Sequence, residues 1–161
     1  MNCIPLNEKE YAYIWDWVYK ELSFRPSVYA RDWPSIRTKM PFHKFSIDFL
    51  WREPYNQERQ AGFIRKAIDT FISITQKDEV IYALDWQHEG FHYDPRELRV
   101  DGLLDTESSI PVISFIPDGD YYIFITKDLQ NIWFGHPWER SITLIGETLI
   151  SAAAGHGLPI T

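Results

Sequence analysis

Cysteine is nearly absent from this chain of 161 residues, which contains Cys3 alone. A single thiol excludes an internal disulfide and a zinc site of four cysteines, and it fits a reducing compartment. No apolar run approaches the ~20 residues that a membrane-crossing helix needs. The first residues show neither the basic start nor the apolar core of a secretory signal. These absences predict a cytoplasmic protein that does not act in a membrane.

Basic residues are also few, with 16 lysines and arginines against 23 acidic residues and a formal net charge of −7. Binding to nucleic acid normally needs a basic face that neutralises phosphates, so we expect no nucleic-acid partner. Hydrophobic residues make up 45% of the sequence and charged residues 24%, as in ordinary folded proteins. The length predicts a single globular domain over residues 1–161.

The charges are unevenly distributed along the chain. Eleven carboxylates lie between Asp78 and Asp120, where the basic residues are Arg96 and Arg99. The stretch from Arg25 to Lys44 has the reverse balance, with five basic residues and one acidic residue. Such blocks are most often solvated faces. The alternative is an acidic surface that steers a basic partner protein onto this one.

Two longer helices are predicted in the N-terminal half. Asn7 followed by Glu10 has the spacing of a capping box, and apolar residues then recur at helical spacing as far as Leu22. A second helix is expected to start after Asn56, because the apolar residues of 63–72 fall on one face.

The rest of the sequence predicts strands and a last helix. Asp118-Gly119 is typical of a tight turn between two strands, and a short helix is expected at Glu147–Ala154. The order of elements predicts an α+β fold, in which a mainly antiparallel sheet ends in a C-terminal meander and the helices cover one face. The expected strands are Phe45–Trp51, Val80–Trp86, Val112–Ile116, Tyr121–Thr126, Ile132–Phe134 and Ser141–Ile145.

One segment matches a catalytic template, H-E-x-x-H, in which two histidines on a helix hold zinc. It runs from His88 to His92. Its context favours a hairpin or loop, because a strand pattern leads into it, Gly90 lies inside it and Asp94-Pro95 follows. A zinc hydrolase is therefore only a remote alternative. No metal site is predicted, with His88 and His92 as weak candidates.

A second group of candidates lies near the C-terminal turns. His136 and Glu139 could bind a ligand or perform acid–base work. We favour a structural role instead, in which Gly135 and Pro137 shape the connection and Trp138 buries its ring. Asp118-Gly119-Asp120 lacks the number of ligands that a calcium loop needs, and no sequence motif indicates a cofactor. The candidate binding residues are Trp133, His136, Trp138, Glu139, Asp118 and Asp120.

Aromatic residues are abundant, with 7 tryptophans, 9 tyrosines and 10 phenylalanines. Tryptophan and tyrosine are favoured in binding hot spots because they combine a large area with a polar group. A tryptophan-rich core explains the same composition equally well. The aromatic content therefore favours a binding protein without requiring one.

The block PDGDYYIFITKDLQNIWFGHPWERSITLIGETL, with LDWQHEGFHYDP upstream, resembles a family of small bacterial proteins known as a domain of unknown function. The resemblance covers the C-terminal half closely and the N-terminal half only in layout. It implies a cytoplasmic bacterial protein and brings no established activity, cofactor or catalytic residue. The positions that match the family pattern are Asp118, Gly119, Asp120, Gly135, His136, Pro137, Trp138 and Glu139.

Two classes of function remain open at this point. The first is a protein without catalytic activity that binds a basic protein partner, similar in composition to bacterial immunity proteins, which neutralise toxins such as basic nucleases. The second is an enzyme or a small-ligand protein with a pocket near His136 and Glu139. We expect the first, with no cofactor, because nothing in the sequence forms a recognisable catalytic constellation.

Overall fold

The structure of the chain is a computed structural model that describes residues 3–104 and 113–160. Within these ranges an antiparallel sheet is combined with four helices, which confirms the predicted α+β class. The helices are α1 (Glu8–Glu21), α2 (Gln57–Ile74), α3 (Val100–Leu104) and α4 (Glu147–Gly155). The strands are β1 (Ile4–Pro5), β2 (Phe42–Ser46), β3 (Ile81–Asp85), β4 (Phe91–Tyr93), β5 (Tyr122–Thr126), β6 (Ile132–His136) and β7 (Ser141–Ile145).

The seven strands form one sheet in the order β1-β4-β3-β5-β6-β7-β2, and each neighbouring pair is antiparallel. The run β5-β6-β7 is the predicted C-terminal meander. Tyr122 is paired with Asp85 on one side and with Gly135 on the other, and His136 is paired with Ser141. These residues therefore lie at one end of the sheet, which we call the Asp85 end.

Helices cover both faces of the sheet, so the expectation of one covered face was wrong. Strands β3, β6 and β7 are buried along their whole length, and a sheet buried on both faces has continuous apolar strands instead of a clear alternation. Helix α1 packs on one face against Leu84, Ile123 and Phe134. Helices α2 and α4 pack on the other against Phe124, Trp133 and Leu144.

The helix starts follow the sequence signals. Asn7 accepts a hydrogen bond from the backbone N–H of Glu10 at 2.8 Å and donates its own N–H to the Glu10 carboxylate at 3.0 Å, which confirms the capping box. Asn56 caps α2 by accepting from the N–H of Glu58 at 2.8 Å. None of the helices in the described ranges combines the length and the apolar character needed to cross a lipid bilayer.

Two predicted strands were placed wrongly. The strand expected at Phe45–Trp51 is instead β2, and a 3₁₀ helix over Asp48–Trp51 follows it. For the strand expected at Val112–Ile116, Val112 lies outside the described residues, and residues 113–116 form no strand. Phe115 is nevertheless fully buried and stacks on Phe124 with 4.3 Å between ring centroids. The run is apolar because it packs on the α2 face of the sheet, which the pattern alone could not distinguish from a buried strand.

The C-terminal end of α2 is held by an arginine, which provides a test of the fold. The guanidinium of Arg96 donates to the carbonyl oxygen of Gln76 at 2.8 Å and to that of Ile72 at 3.2 Å. We expect Arg96→Ala to lower the free energy of unfolding by about 1–2 kcal/mol, because helix-end carbonyls lose charged donors. Urea denaturation measures this, and Arg65→Ala on the exposed side of α2 is the matched control. Equal effects of the two substitutions would contradict the assignment.

Candidate functional site

Four connecting segments meet at the Asp85 end of the sheet. They are the β3–β4 loop, the segment before β5, the β6–β7 turn and the irregular segment between α1 and β2. The segment before β5 approaches closely because of Gly135, where a Cβ atom would lie 3.2 Å from the side chain of Pro117 and from the carbonyl oxygen of Tyr122. Polar and ionisable side chains that are far apart in the sequence therefore lie close together at this end of the sheet.

His136 is fully buried at this end, with an exposed fraction of 0%. Its Nδ1 accepts the backbone N–H of Glu139 at 3.0 Å, and its Nε2 lies 3.1 Å from the hydroxyl oxygen of Ser35. Because Nδ1 must accept, the neutral ring carries its proton on Nε2 and donates it to Ser35. Burial lowers the pKa of His136 to about 4. Both ring nitrogens are thus used within the chain.

Glu139 is also engaged in internal interactions. Its carboxylate accepts from the ammonium group of Lys44 at 2.9 Å and from the hydroxyl of Ser141. Burial alone raises the pKa of Glu139, but the hydrogen bonds from Ser141 and Lys44 outweigh burial, and the pKa lies below its usual value. The carboxylate therefore stays ionised and ties the β6–β7 turn to the edge strand β2.

Trp138 has a different position from these two residues, because 40% of its surface is exposed. Its ring packs edge-on against Tyr121 at 5.3 Å between centroids. The Tyr121 hydroxyl accepts from the backbone N–H of Ser27 at 2.9 Å, and the next two residues, Val28 and Tyr29, are 54% and 59% exposed. We call Val28, Tyr29 and Trp138 the Trp138 surface.

The remaining candidates, Trp133, Asp118 and Asp120, differ in how far they are exposed to solvent. Trp133 has an exposed fraction of 0% and lies in the core beneath α2, so it does not reach the surface where a partner would bind. The period-2 alternation of β6 puts it on the opposite face from His136. Asp118 is exposed in the turn before β5, and Asp120 is half-buried beside Tyr121. Asp118 and Asp120 precede Tyr121 in the chain, and the ring of Tyr121 contacts that of Trp138.

A cluster that sequence reasoning did not assemble lies next to these residues. The Nδ1 atom of His88 is 3.1 Å from a carboxylate oxygen of Asp85 and 3.1 Å from one of Asp120. Burial raises the pKa of Asp85 to about 7, helped by the neighbouring Asp120 carboxyl, and the hydrogen bond with Asp85 raises the pKa of His88. The sequence did not predict this cluster, because Asp85 and Asp120 are 35 positions apart and no local pattern connects them.

The H-E-x-x-H segment forms no zinc site of the predicted type. His88 lies in the β3–β4 loop and His92 in strand β4, so no helix places them on one face. The Nε2 atom of His92 is 2.8 Å from the carboxylate of Glu10, and its Nδ1 is 2.8 Å from the ammonium nitrogen of Lys127. These residues therefore do not form the helical arrangement that the H-E-x-x-H template requires, and the loop expected from Gly90 and its neighbours is confirmed.

The acidic stretch of the sequence does not form one face. Asp78 and Glu79 precede β3 and lie at the end of the sheet opposite to Asp85. Glu89 is exposed in the β3–β4 loop at the Asp85 end, together with Asp118 and Asp120. Asp105 and Glu107 lie outside the described residues. The carboxylates relevant to the Trp138 surface are therefore a subset of the eleven.

This protein has an α+β fold in which helices cover both faces of an antiparallel sheet. Tryptophan, histidine and carboxylate side chains lie at the Asp85 end of that sheet. Residues 5–150 match the family described as protein of unknown function (DUF2716), so the chain belongs to that family. The chain is similar to an uncharacterized protein, YxiI, of Bacillus subtilis (strain 168), with 30% identity over 156 residues, which are 94% of this chain and 92% of that protein. No solved structure matches the chain.

The buried neutral state of His136 leads to an expected dependence of stability on pH. Its pKa is about 4 in the folded chain and ~6.5 in an unfolded one. The stabilisation is therefore complete above pH ~6.5 and is lost as the pH falls towards 4, by about 3 kcal/mol in total.

Thermal or urea unfolding between pH 7 and pH 4.5 measures this dependence. We expect His136→Gln to be less stable at pH 7 but to lose less stability on acidification. The exposed His156 provides the control, since His156→Gln should reproduce the wild-type curve. Parallel pH curves for the wild type and His136→Gln would contradict a buried neutral imidazole.

Proposed function

We propose that this protein binds another protein through the Trp138 surface and has no catalytic role at that surface. The observation that carries the proposal is the position of Trp138, which is 40% exposed while its ring is held against Tyr121. A rigid aromatic side chain on a tight turn loses little conformational entropy on binding and is typical of interface hot spots. Val28 and Tyr29 are also exposed, and they follow Ser27, whose backbone N–H is bonded to the same Tyr121.

The nearby polar groups support binding better than catalysis. A general base must reach the proton that it removes, but both nitrogens of His136 are hydrogen-bonded inside the chain. The Glu139 carboxylate is bonded to Lys44 and Ser141. The alternative of a small-ligand or catalytic pocket near His136 and Glu139 therefore has weaker support than a protein interface.

The charges beside the Trp138 surface suggest the chemistry of the partner. Asp118 and Glu89 are exposed at this end, and Asp120 is half-buried. Carboxylates at the rim of an apolar patch attract a basic protein and raise the rate of association. With a net charge of −7, the chain has the general character of an immunity protein or antitoxin. We propose that it neutralises a basic protein in the bacterial cytoplasm, for which the single cysteine is further support.

The proposal is tested by capture of partners from lysate of the host bacterium, followed by titration of the purified partner against three forms of the chain. We expect a basic partner that binds in a 1:1 complex. Trp138→Ala should weaken binding roughly tenfold or more, because removing a hot-spot aromatic costs ~2 kcal/mol or more. Phe42→Ala should leave affinity unchanged, since Phe42 is exposed at 60% and is paired with Ile145 at the opposite end of the sheet.

The contribution of the carboxylates is measured separately from that of Trp138. We expect Asp118→Asn to reduce the association rate at low salt and to have little effect at high salt, because rim charges act through screened long-range attraction. Melting temperatures of all variants control for folding. An affinity that is the same for the wild type and Trp138→Ala would overturn the proposal, as would an acidic partner whose binding is indifferent to salt.

A further inference from the structure

The cluster of Asp85, His88 and Asp120 places three donor atoms around a common point. One ligand atom from each residue lies within 4.8 Å of the other two, and His88 Nδ1 is 3.1 Å from both carboxylates. Zinc–ligand bonds of ~2.0–2.2 Å put the donor atoms of a tetrahedral site roughly 3.3–3.6 Å apart. The observed spacing therefore needs only small shifts to accept an ion.

Among the described residues, the two carboxylates of the cluster have no lysine or arginine partner, which is a second observation besides the spacing of the donor atoms. Asp85 is 92% buried, and its carboxyl lies against that of Asp120. All 16 lysines and arginines of the chain lie within the described ranges, and none of them forms an ion pair with either carboxylate. Two facing carboxylates, one of them buried, repel each other unless a proton or a cation lies between them. The cation available from the chain is the largely exposed imidazole of His88, and a bound metal ion would compensate both carboxylates at once.

We infer that Asp85, His88 and Asp120 form a binding site for a divalent transition metal ion, with Zn²⁺ as the preferred ion. One imidazole nitrogen and two carboxylate oxygens are a donor set that suits zinc. Three protein ligands leave a fourth position, which faces solvent because the side chain of His88 is 63% exposed. None of these three ligands is part of the Trp138 surface, which consists of Val28, Tyr29 and Trp138. The metal site can therefore exist whether or not that surface binds a protein.

The backbone around the ligands is already held in place. The backbone N–H of His88 donates to the carbonyl oxygen of Asp85 at 3.0 Å, and the carbonyl oxygen of His88 accepts from the Tyr11 hydroxyl at 3.0 Å. Asp85 is fixed by its pairing with Tyr122 in the sheet. A bound ion would join the β3–β4 loop to the segment before β5, which also carries Asp118.

Isothermal titration of the chain, purified without a histidine tag and freed of metal by chelation, with Zn²⁺ alone tests this inference. We expect one zinc ion per chain and a rise in melting temperature when zinc is present, because an ion that binds only the folded state stabilises it. His88→Gln and Asp120→Asn should each weaken zinc binding at least tenfold. Glu97→Gln should bind as the wild type does, because Glu97 is an exposed carboxylate outside the cluster.

Melting in metal-free buffer shows whether each variant is folded. A second background with Cys3→Ser excludes zinc binding by the thiol as the source of the signal. The inference is overturned if folded wild-type chain takes up no zinc at roughly 100 μM, a concentration that would detectably stabilise any site of useful affinity. Zinc binding that persists unchanged in His88→Gln and Asp120→Asn would overturn it equally.

Discussion

Burial of the central strands on both faces is the constraint on which the rest of this structure depends. Helix α1 covers one face and helices α2 and α4 cover the other, so side chains of both parities along β5 and β6 are removed from water. Each fully buried aliphatic or aromatic side chain contributes ~1.5–3 kcal/mol. This two-sided core absorbs most of the aromatic content, including Trp133, and leaves a smaller set of aromatic residues at the surface.

The same arrangement accounts for where polar chemistry collects. The middle of a doubly covered sheet can hold few polar groups, because each would have to be hydrogen-bonded away from water. Strand ends and turns are the places that remain, and the antiparallel register brings Asp85, Tyr122, Gly135 and Ser141 to one end. His136 is buried in the core, and its two ring nitrogens are hydrogen-bonded to Ser35 and to the backbone of Glu139 in the turn.

The two proposals for the Asp85 end use different physical effects and share one residue, Asp120. Binding of a protein partner depends on exposed aromatic area at Trp138, with carboxylates at the rim that accelerate association. Metal binding depends on the compensation of the buried Asp85 carboxylate. An ion bound by Asp120 would reduce the negative charge at this end and make it less attractive to a basic partner.

The sequence by itself determined the local elements. The capping box at Asn7, the apolar stripe of α2 and the meander of β5-β6-β7 follow from patterns that span a few residues. Only the tertiary structure decided the second covered face and the burial of Trp133, because a continuous apolar run does not say which element it meets. It also decided that His88 meets Asp120, since pairs far apart in sequence are joined by strand order and register, which local periodicity does not encode.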